Sequence, residues 1–413
     1  MTSSIKQRPS AFVSGKSMRV VHIGHVPCPP DHPEISRLWK NAFAPSRWVL
    51  NLAKAQLKHT DIQAEIVVKA PGATRKWQTH VEGVLCHFVP TPNILRGKTH
   101  FFLDQRILAH AARALQPDIV HAHGTEEANA LASLRTGLPC LLTVQGCFFI
   151  INRSLPARFF SRQWIVERLE RRTIPRFDCI IAKSEYIRQQ LVKEFPSTSP
   201  ILVPNTYDPA LAEISFTEPR QQAIAFVGSL VAWKGLHLLV DVVKQVLEEF
   251  PCLSLHICGD RPAVQNGYEG QIKRDLRQLL GDHLFLHGVL PNVEAVKVVS
   301  QCRLLMAPSL EDMFGNQAVE SLLVGTPVLT LEGTAIAENV RRLGNGVVST
   351  TGHLAADLAN ILNQPYNSKP AFATRSAVMA WMSPAAVATS HKSIYETLLK
   401  TAGHNPRHST LIV

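Results

Sequence analysis

Short apolar runs alternate with helical periodicity along most of the chain, which predicts parallel β-sheets covered by helices. The first series of predicted strands comprises Met18–Gly24, Glu65–Lys69, Leu85–Val89, Asp118–His121, Pro139–Val144, Asp178–Ala182 and Ile201–Val203. Predicted helices between them comprise Ser46–Lys58, Phe102–Leu115, Glu126–Arg135, Arg158–Arg172 and Glu185–Glu194. The second series of strands comprises Ala223–Val227, Leu253–Cys258, Leu284–His287, Arg303–Ala307, Pro327–Thr330 and Val347–Ser349. Two series predict two doubly wound α/β domains, each with a ligand crevice at the carboxyl ends of its strands.

The 413 residues exceed what one hydrophobic core organises, which also favours at least two domains. We predict a disordered tail at 1–17, a first domain at 18–204, a proline-punctuated linker at 205–222 and a second domain at 223–380. No apolar run reaches about 18 residues, so a transmembrane helix is not expected. The eight cysteines form no C-x-x-C, and the N-terminus has no apolar signal-like stretch, so a cytoplasmic location is expected.

The net charge of +11 is concentrated in the first half. Residues 1–204 contain 27 Lys and Arg against 14 Asp and Glu, whereas the remaining residues contain 16 against 18. The first half is therefore expected to meet an anionic partner, which could be a membrane surface, a phosphate-bearing substrate or a nucleic acid.

Two segments of the second half carry candidate chemistry. In the first, a strand is followed by Gly228, Lys234 and Gly235 and then by an amphipathic helix, an arrangement that suits a phosphate at the helix N-terminus. The alternative is an ordinary loop with a solvated lysine. In the second, Asp312 lies in a polar loop and Glu320 lies in the following helix, so both carboxylates can face one crevice and accept hydrogen bonds from hydroxyl pairs. The alternative for each acid is a charge partner of a helix terminus.

Together these segments give the chain a resemblance to the family 4 retaining glycosyltransferases, which have the GT-B architecture of two Rossmann-like domains facing across a cleft. The matching motifs are Gly228-Ser229…Lys234-Gly235, Asp312-x7-Glu320 and Gly325-Thr326-Pro327-Val328, with PDIVHAHG, LLTVQG, AKSEYIRQQL, VPNTYD, LHICGD and FLHGVLP in the family's order. The resemblance covers about residues 18–400 and implies that a C-terminal helix at about 384–400 crosses back onto the first domain.

The resemblance also implies roles for individual residues. Lys234 would neutralise the diphosphate of a nucleotide-sugar, Glu320 would bind the ribose hydroxyls and Asp312 would contact the donor sugar. The other donor-binding residues it implies are Gly228, Ser229, Gly259, His287, Gly288, Leu290, Phe314, Gly315 and Asn316. No cofactor is implied besides the nucleotide-sugar as co-substrate. The acceptor would be a saccharide or a lipid-linked molecule in surface polysaccharide or glycolipid synthesis.

Three departures from the family pattern bear on activity. Ser229 replaces an arginine, Gln145 replaces a frequent histidine, and the segment 25–34 replaces a glycine-rich turn. A catalytically inactive relative that binds sugar nucleotides therefore stays an alternative, as does a nucleotide-sugar epimerase of the same fold. A nucleic-acid-binding protein is disfavoured because no recognition motif is present and the arginines are dispersed.

His121 and His123 lie on one face of a predicted strand and could share a metal, but the sequence offers no third ligand. His123 is instead expected to line the cleft on the acceptor side with Gln145, or to be a satisfied core histidine. The sequence contains no D-x-D, so we expect no metal site and metal-independent catalysis.

A basic and aromatic segment, Arg153–Arg176, carries seven arginines against two acids. Such a segment suits adsorption to an anionic membrane surface, which would make the protein peripheral on the cytoplasmic face. The alternative is a solvated helix packed on its domain by its apolar side.

Overall fold

The computed structural model describes residues 17–27, 47–92, 99–216, 220–260, 267–367 and 369–402. Nearly all of the predicted tail at 1–17 lies outside these residues, as does most of the 25–34 segment.

The first domain is built on an eight-stranded sheet in the order β3-β4-β2-β1-β5-β6-β7-β8. Its strands are β1 (Arg19–Ile23), β2 (Gln63–Pro71), β3 (Trp77–Val81), β4 (Val84–Thr91), β5 (Ile119–His123), β6 (Cys140–Thr143), β7 (Ile180–Ala182) and β8 (Ile201–Leu202). All pairings are parallel except that between β3 and β4, which is antiparallel. The helices of this part of the chain are α1 (Trp48–His59), α2 (Phe102–Ala114), α3 (Asn129–Arg135), α4 (Phe148–Ser154), α5 (Arg162–Thr173) and α6 (Glu185–Glu194).

The second domain is built on a six-stranded parallel sheet in the order β11-β10-β9-β12-β13-β14. Its strands are β9 (Gln221–Val227), β10 (Ser254–Cys258), β11 (Leu284–Gly288), β12 (Cys302–Ala307), β13 (Val328–Leu331) and β14 (Gly346–Ser349). The helices from the connecting segment onward are α7 (Pro209–Ala212), α8 (Leu236–Val246), α9 (Tyr268–Leu280), α10 (Asn292–Gln301), α11 (Asn316–Leu323), α12 (Ala335–Leu343), α13 (Leu354–Asn363), α14 (Lys369–Trp381) and α15 (Pro384–Ala402). The predicted fold class, two doubly wound α/β domains, is confirmed.

Three local expectations differ from the structure. Strand β3 has no counterpart among the predicted strands because it is a polar edge strand whose side chains are mostly exposed or half-buried. The helix expected from Glu126 begins at Asn129, because Thr125 and Glu126 instead turn inward at the end of β5, where Thr125 is buried and Glu126 is half-buried. The segment predicted as a linker contains α7, and β9 already starts at Gln221.

The C-terminal helix α15 packs on α1 of the first domain. Val387, Tyr395 and Leu398 of α15 join the core formed by β1, β2 and α1. The fully buried Tyr395 hydroxyl accepts a hydrogen bond from Gln56 Nε2 at 2.9 Å and lies 2.7 Å from His121 Nδ1. The last helix therefore belongs to the core of the first domain, although it follows the second domain in the chain.

None of the helices in the described part of the chain is long and apolar enough to cross a bilayer.

Candidate active site

Three glycines end neighbouring strands of the second sheet: Gly228 after β9, Gly259 after β10 and Gly288 in β11. The Gly228 N–H donates to the Cys258 carbonyl at 3.0 Å, and the Gly259 N–H donates to the Gly288 carbonyl at 2.7 Å. A Cβ at Gly259 would lie 1.9 Å from the Gly228 carbonyl oxygen, so only glycine fits there. These backbones lie at the carboxyl ends of the parallel strands, where doubly wound sheets bind ligands.

Lys234 lies in a short 3-10 turn, Ala232–Lys234, directly before α8. The next residue, Gly235, has φ of +71°, and a Cβ there would lie 1.8 Å from the Pro308 carbonyl oxygen. The loop before α8 is therefore pressed against the loop after β12, and this contact brings Lys234 Nζ to 2.5 Å from Asp312 Oδ2. Two of the three predicted catalytic residues, Lys234 and Asp312, therefore form an ion pair, and Glu320 is the third.

Asp312 is buried and also accepts hydrogen bonds from the Phe314 N–H and from Gln317 Nε2, each at 3.2 Å. Burial acts to raise the pKa of Asp312, but the Lys234 charge and these hydrogen bonds outweigh it and hold the pKa below its usual value. Asp312 is therefore ionised at neutral pH and is the counter-ion of Lys234.

Glu320 projects from α11, and its Oε2 accepts a hydrogen bond from Asn292 Nδ2 at 3.1 Å. Burial raises the pKa of Glu320 to about 7, and the nearby Asp208 charge acts in the same direction. A half-buried carboxylate with one amide partner has unused acceptor capacity, which two adjacent hydroxyl groups of a ribose can take up.

The remaining predicted donor residues line the same end of the sheet or support it. Gly315, with φ of +75°, precedes α11, while Phe314 is buried and its carbonyl accepts from Asn339 Nδ2 at 2.5 Å. Asn316 Oδ1 accepts a hydrogen bond from Asn205 Nδ2 at 3.0 Å, so this side chain ties α11 to the connecting segment.

His287, Leu290 and Ser229 are all partly exposed at this edge. His287 Nε2 lies 3.0 Å from His256 Nδ1.

The loop that carries Asp312 also contacts the first domain. Glu311 accepts hydrogen bonds from Ser154 Oγ at 2.5 Å and from the Tyr186 hydroxyl at 2.7 Å, and the Met313 carbonyl accepts one from Ser184 Oγ at 2.9 Å. The Lys234–Asp312 pair therefore lies where the two domains meet.

On the first-domain side, His123 ends β5 and Gln145 follows β6. His123 Nε2 lies 2.9 Å from His22 Nδ1, and His123 is almost completely buried. Glu126, which no sequence motif singles out, lies against Gly124 and Gly146: its carboxylate oxygens are 2.3 Å and 2.4 Å from where a Cβ would stand on these two glycines. Burial raises the pKa of Glu126.

Three buried histidines meet between β1 and β5. One nitrogen from each of His22, His121 and His123 lies within 4.8 Å of the others, so the structure supplies the third metal-ligand candidate that the sequence lacked. The parallel register pairs His22 with His121, and no short-range sequence pattern reveals that pairing. Both ring nitrogens of His121 already face hydroxyl groups, those of Tyr395 and Thr143, each at 2.7 Å.

The basic segment Arg153–Arg176 begins at the end of α4 and contains all of α5, and part of its charge is neutralised. Arg153 pairs with Glu194, Arg162 pairs with Glu127, and Arg171 pairs with Glu167 and Glu194. Phe159 and Phe160, in the loop between the helices, are each 76% exposed and contact Trp164.

Two family models match the chain, one for each half. The model described as "Glycosyltransferase Family 4" matches residues 45–211, and the model described as "Glycosyl transferases group 1" matches residues 210–376. An uncharacterized glycosyltransferase of Methanocaldococcus jannaschii is 23% identical over 66% of this chain and 72% of its own length. A 2-deoxystreptamine glucosyltransferase of Streptomyces kanamyceticus is 23% identical over 62% of this chain and 68% of its own length.

The fold is similar to that of solved GT-B structures. Sucrose-phosphate synthase from Thermosynechococcus elongatus superposes with a TM-score of 0.75 at 15% identity, covering 93% of this chain and 100% of that chain. HepE of Anabaena, in complex with UDP-glucose, superposes with a TM-score of 0.66 at 15% identity, covering 92% of this chain and 100% of that chain.

Proposed function

Because the chain belongs to the family 4, group 1 glycosyltransferases, we propose that it is an active retaining hexosyltransferase that uses a nucleotide-sugar donor. The acceptor in this proposal is a saccharide or a lipid-linked molecule of surface polysaccharide or glycolipid synthesis. The observation that carries the proposal is the Lys234–Asp312 ion pair at the carboxyl ends of the second sheet, with Glu320 in the adjoining helix. The similarity to HepE, solved with UDP-glucose, supports a nucleotide-sugar as the donor.

Lys234 provides positive charge for a departing nucleoside diphosphate. Its amine would exchange its ion pair with Asp312 for the diphosphate, and the N-terminus of α8 would add its unpaired N–H groups. Negative charge grows on the leaving group as the bond to the sugar breaks, so a fixed donor aimed there lowers the barrier by about 3 kcal/mol. Asp312, released from Lys234, would accept hydrogen bonds from the donor sugar, and Glu320 would accept them from the ribose.

We assign no nucleophilic carboxylate and propose that the acceptor attacks from the face that the diphosphate leaves. A donor phosphate oxygen would then take the acceptor proton, and the anomeric configuration would be retained. Metal independence is part of the proposal, because the sequence has no D-x-D and Lys234 supplies charge at the leaving group. The anomeric configuration of the product, read by proton NMR from the first turnover of an α-linked donor, tests retention.

Thermal shift against UDP-, GDP- and ADP-sugars tests the donor site. A ligand at 100 times its dissociation constant stabilises a protein by about 2.7 kcal/mol. We expect one donor class to raise the melting midpoint of the wild type, and Lys234→Ala and Glu320→Ala to lose that shift. Lys244→Ala is the matched control, since Lys244 is exposed on the same helix α8. A shift retained in both site variants would place the donor elsewhere.

An epimerase remains the second candidate, and the buried histidines are the observation in its favour, because epimerisation needs groups that move protons. Incubation of the bound nucleotide-sugar without acceptor separates the two activities. A glycosyltransferase leaves the stereochemistry of the donor sugar unchanged, whereas an epimerase converts it.

We further propose peripheral binding to an anionic membrane surface through the loop between α4 and α5. Exposed Phe159 and Phe160 would enter the headgroup region, and the exposed Arg158, Arg168 and Arg172 would face the lipid phosphates. Co-sedimentation with phosphatidylglycerol vesicles should fall sharply in Phe159→Ser/Phe160→Ser. The control is Phe372→Ser, since Phe372 is 61% exposed on α14 outside this segment. Undiminished sedimentation of the double variant would rule this loop out.

A further inference from the structure

Three polar side chains lie on one face at the carboxyl ends of β5, β6 and β7. The register pairs His123 with Thr143 and Thr143 with Ile181, and side chains two residues apart on a strand share a face. Gln145 and Lys183 are therefore level with each other, two residues beyond Thr143, and His123 lies beside Thr143 on the same face. The face is the one that α15 covers, because His121, two residues before His123, lies 2.7 Å from the Tyr395 hydroxyl of that helix. His391 of α15 is fully buried over the same face. We call His123, Gln145, Lys183 and His391 the buried polar cluster.

This cluster has unused hydrogen-bonding capacity. His123 Nδ1, Gln145 Nε2 and His391 Nε2 are buried atoms without a hydrogen-bond partner. Lys183 is 3% exposed, and the described part of the chain gives its amine no hydrogen-bond or ion-pair partner. A buried polar group without a partner destabilises the folded state, so several in one place indicate a site for a ligand.

The four side chains influence one another electrostatically. Burial lowers the pKa of Lys183 to about 7. Burial also lowers the pKa values of His123 and His391, and the Lys183 charge acts in the same direction on both. Among the described residues, no carboxylate contributes to these shifts. An anion would therefore find a desolvated, uncompensated amine.

The directions of the hydrogen bonds show which atoms of the cluster donate and which accept, and this restricts the class of ligand. Gln56 donates from Nε2 to Tyr395, so its Oε1 accepts from His22 Nε2, and His22 Nδ1 accepts from His123 Nε2. The unpaired Nδ1 of neutral His123 is thus a lone pair.

The same holds for His391, since its Nδ1 donates to the Val387 carbonyl and its Nε2 is left as a lone pair. The cluster therefore offers two donors, Lys183 and Gln145, and two acceptors. A hydrogen phosphate group fits three of these four groups, because its P–O⁻ oxygens accept from Lys183 and Gln145 and its P–OH donates to one of the two histidine lone pairs, whereas an ionised carboxylate cannot donate.

The cluster borders the donor side of the cleft. Lys183 directly precedes Ser184, which donates to the Met313 carbonyl next to Asp312. Gln145 is partly exposed and gives the cluster an opening. A group bound here would hold the molecule it belongs to close to the Lys234–Asp312 pair.

We propose that the buried polar cluster binds a phosphate monoester on the acceptor, so that the acceptor class is a phosphorylated sugar or lipid; this rests on the proposed function. A metal ion is the competing occupant of the neighbouring histidines. It is disfavoured because both nitrogens of His121 are engaged by hydroxyls and the Lys183 amine would repel a dication.

Calorimetric titration of the full chain with inorganic phosphate, glucose 6-phosphate and glucose tests the proposal. We expect both phosphates to bind, glucose not to bind, and Lys183→Met to weaken phosphate binding at least tenfold. Lys234→Met is the matched control, because it removes the donor-site lysine. Phosphate binding that survives Lys183→Met but is lost in Lys234→Met belongs to the donor site and overturns the proposal, as does the absence of phosphate binding.

Gln145→Glu gives a second, independent readout. The new carboxylate would pair with Lys183, so this variant should melt at a higher temperature than the wild type and bind no phosphate. If the protein binds zinc chloride stoichiometrically, loses that binding in His22→Phe and binds no phosphate, then His123 belongs to a metal site with His22 and His121 and the proposal is overturned. Phosphatidic acid vesicles in place of glucose 6-phosphate distinguish a lipid phosphate from a sugar phosphate.

Nucleotide binding separates failure of this inference from failure of the proposed function. Lys183→Met should bind the nucleotide-sugar as the wild type does. If Lys183→Met loses phosphate binding but still binds the nucleotide-sugar, the effect is confined to the buried polar cluster. If the wild type binds no nucleotide-sugar, the proposed function itself fails.

Discussion

Glu338 of the second domain accepts hydrogen bonds from the backbone N–H groups of Glu185 at 3.0 Å and Tyr186 at 2.7 Å. These are the first two residues of α6, so the carboxylate caps a helix of the first domain and interacts with the positive end of its dipole. Helix capping thus acts across the cleft and holds the domains together on the side where Glu311 and Met313 also bridge them.

Removing this cap should loosen the contact between the domains. Glu338→Ala is expected to lower the free energy of unfolding by about 1 kcal/mol, since it removes a partly buried carboxylate from a helix N-terminus. Chemical denaturation measures the change, and small-angle scattering should show a larger radius of gyration. Glu332→Ala is the control: Glu332 pairs with Arg341 on the exposed surface, and its loss should cost less than about 0.5 kcal/mol. If both variants lose the same free energy of unfolding, the Glu338 cap stabilises the protein no more than an exposed ion pair does.

Gly235→Ala should disable the donor site without touching a charged group. A Cβ at this position would collide with the Pro308 carbonyl oxygen, and φ of +71° is unfavourable for alanine. The loop must move away from β12, which separates Lys234 from Asp312. We expect donor affinity to fall at least tenfold in a thermal shift titration. Gly333→Ala is the control, because its φ is also positive but no atom lies within 4 Å of the added Cβ. Similar donor affinity in both variants would contradict the close packing argument.

Donor affinity should depend on pH through Glu320. The pKa of this carboxyl is raised to about 7 by burial, so it is partly protonated in the free protein at neutral pH. Ribose hydroxyls donate better to the ionised form, so donor binding should release a proton, and affinity should fall as pH drops below 7. Release of one proton limits the fall in donor affinity to about tenfold per pH unit. The diphosphate of a nucleotide-sugar does not itself titrate in this range, so it adds no pH dependence of its own. Calorimetry in buffers of different ionisation enthalpy measures the proton release. Glu320→Gln should bind more weakly and without this pH dependence; the same slope in that variant would assign the proton to another group.

The sequence predicts which residues come together at the candidate donor site, because they lie in short local motifs. Gly228, Lys234 and Gly235 follow one strand, and Asp312 and Glu320 follow another, so the parallel topology alone brings their ends together. The sequence does not predict the ion pair between Lys234 and Asp312, because that contact depends on how closely the two loops pack at Gly235.

The buried polar residues on the first-domain side of the cleft are far less predictable from the sequence. His22 meets His121 and His123 through strand register, and His391 arrives on a helix from the other end of the chain. Lys183 looks like an ordinary charged residue in the sequence, and only its burial and missing partner distinguish it. Burial and register over long sequence separations are tertiary properties, which local patterns do not encode.

Glu170 should make stability fall as the pH rises. Its carboxyl is fully buried on α5, where it accepts hydrogen bonds from Thr125 Oγ1 at 2.9 Å and the Phe149 N–H at 3.0 Å. Burial, and then the Glu126 charge, raise its pKa to about 8, above the value of an exposed carboxyl. A raised pKa means that the folded state holds the proton more tightly than the unfolded state. Its contribution is therefore fully present below the unfolded pKa of about 4.5 and is lost progressively up to about pH 8, by at most about 1.4 kcal/mol per pH unit.

Glu170→Gln should remove this dependence, because glutamine is neutral at every pH and fills a similar volume. Denaturation at pH 5 and pH 8 should show the variant gaining stability relative to the wild type at the higher pH. Glu167→Gln, on the same helix but with a partly exposed carboxylate bonded to Arg171, is the matched control. If wild type and Glu170→Gln lose stability in parallel between the two pH values, the buried proton does not reside on Glu170. The slope would then come from other carboxyls whose pKa burial raises, among them Glu126 and Glu320, and Glu126→Gln or Glu320→Gln would reduce it instead.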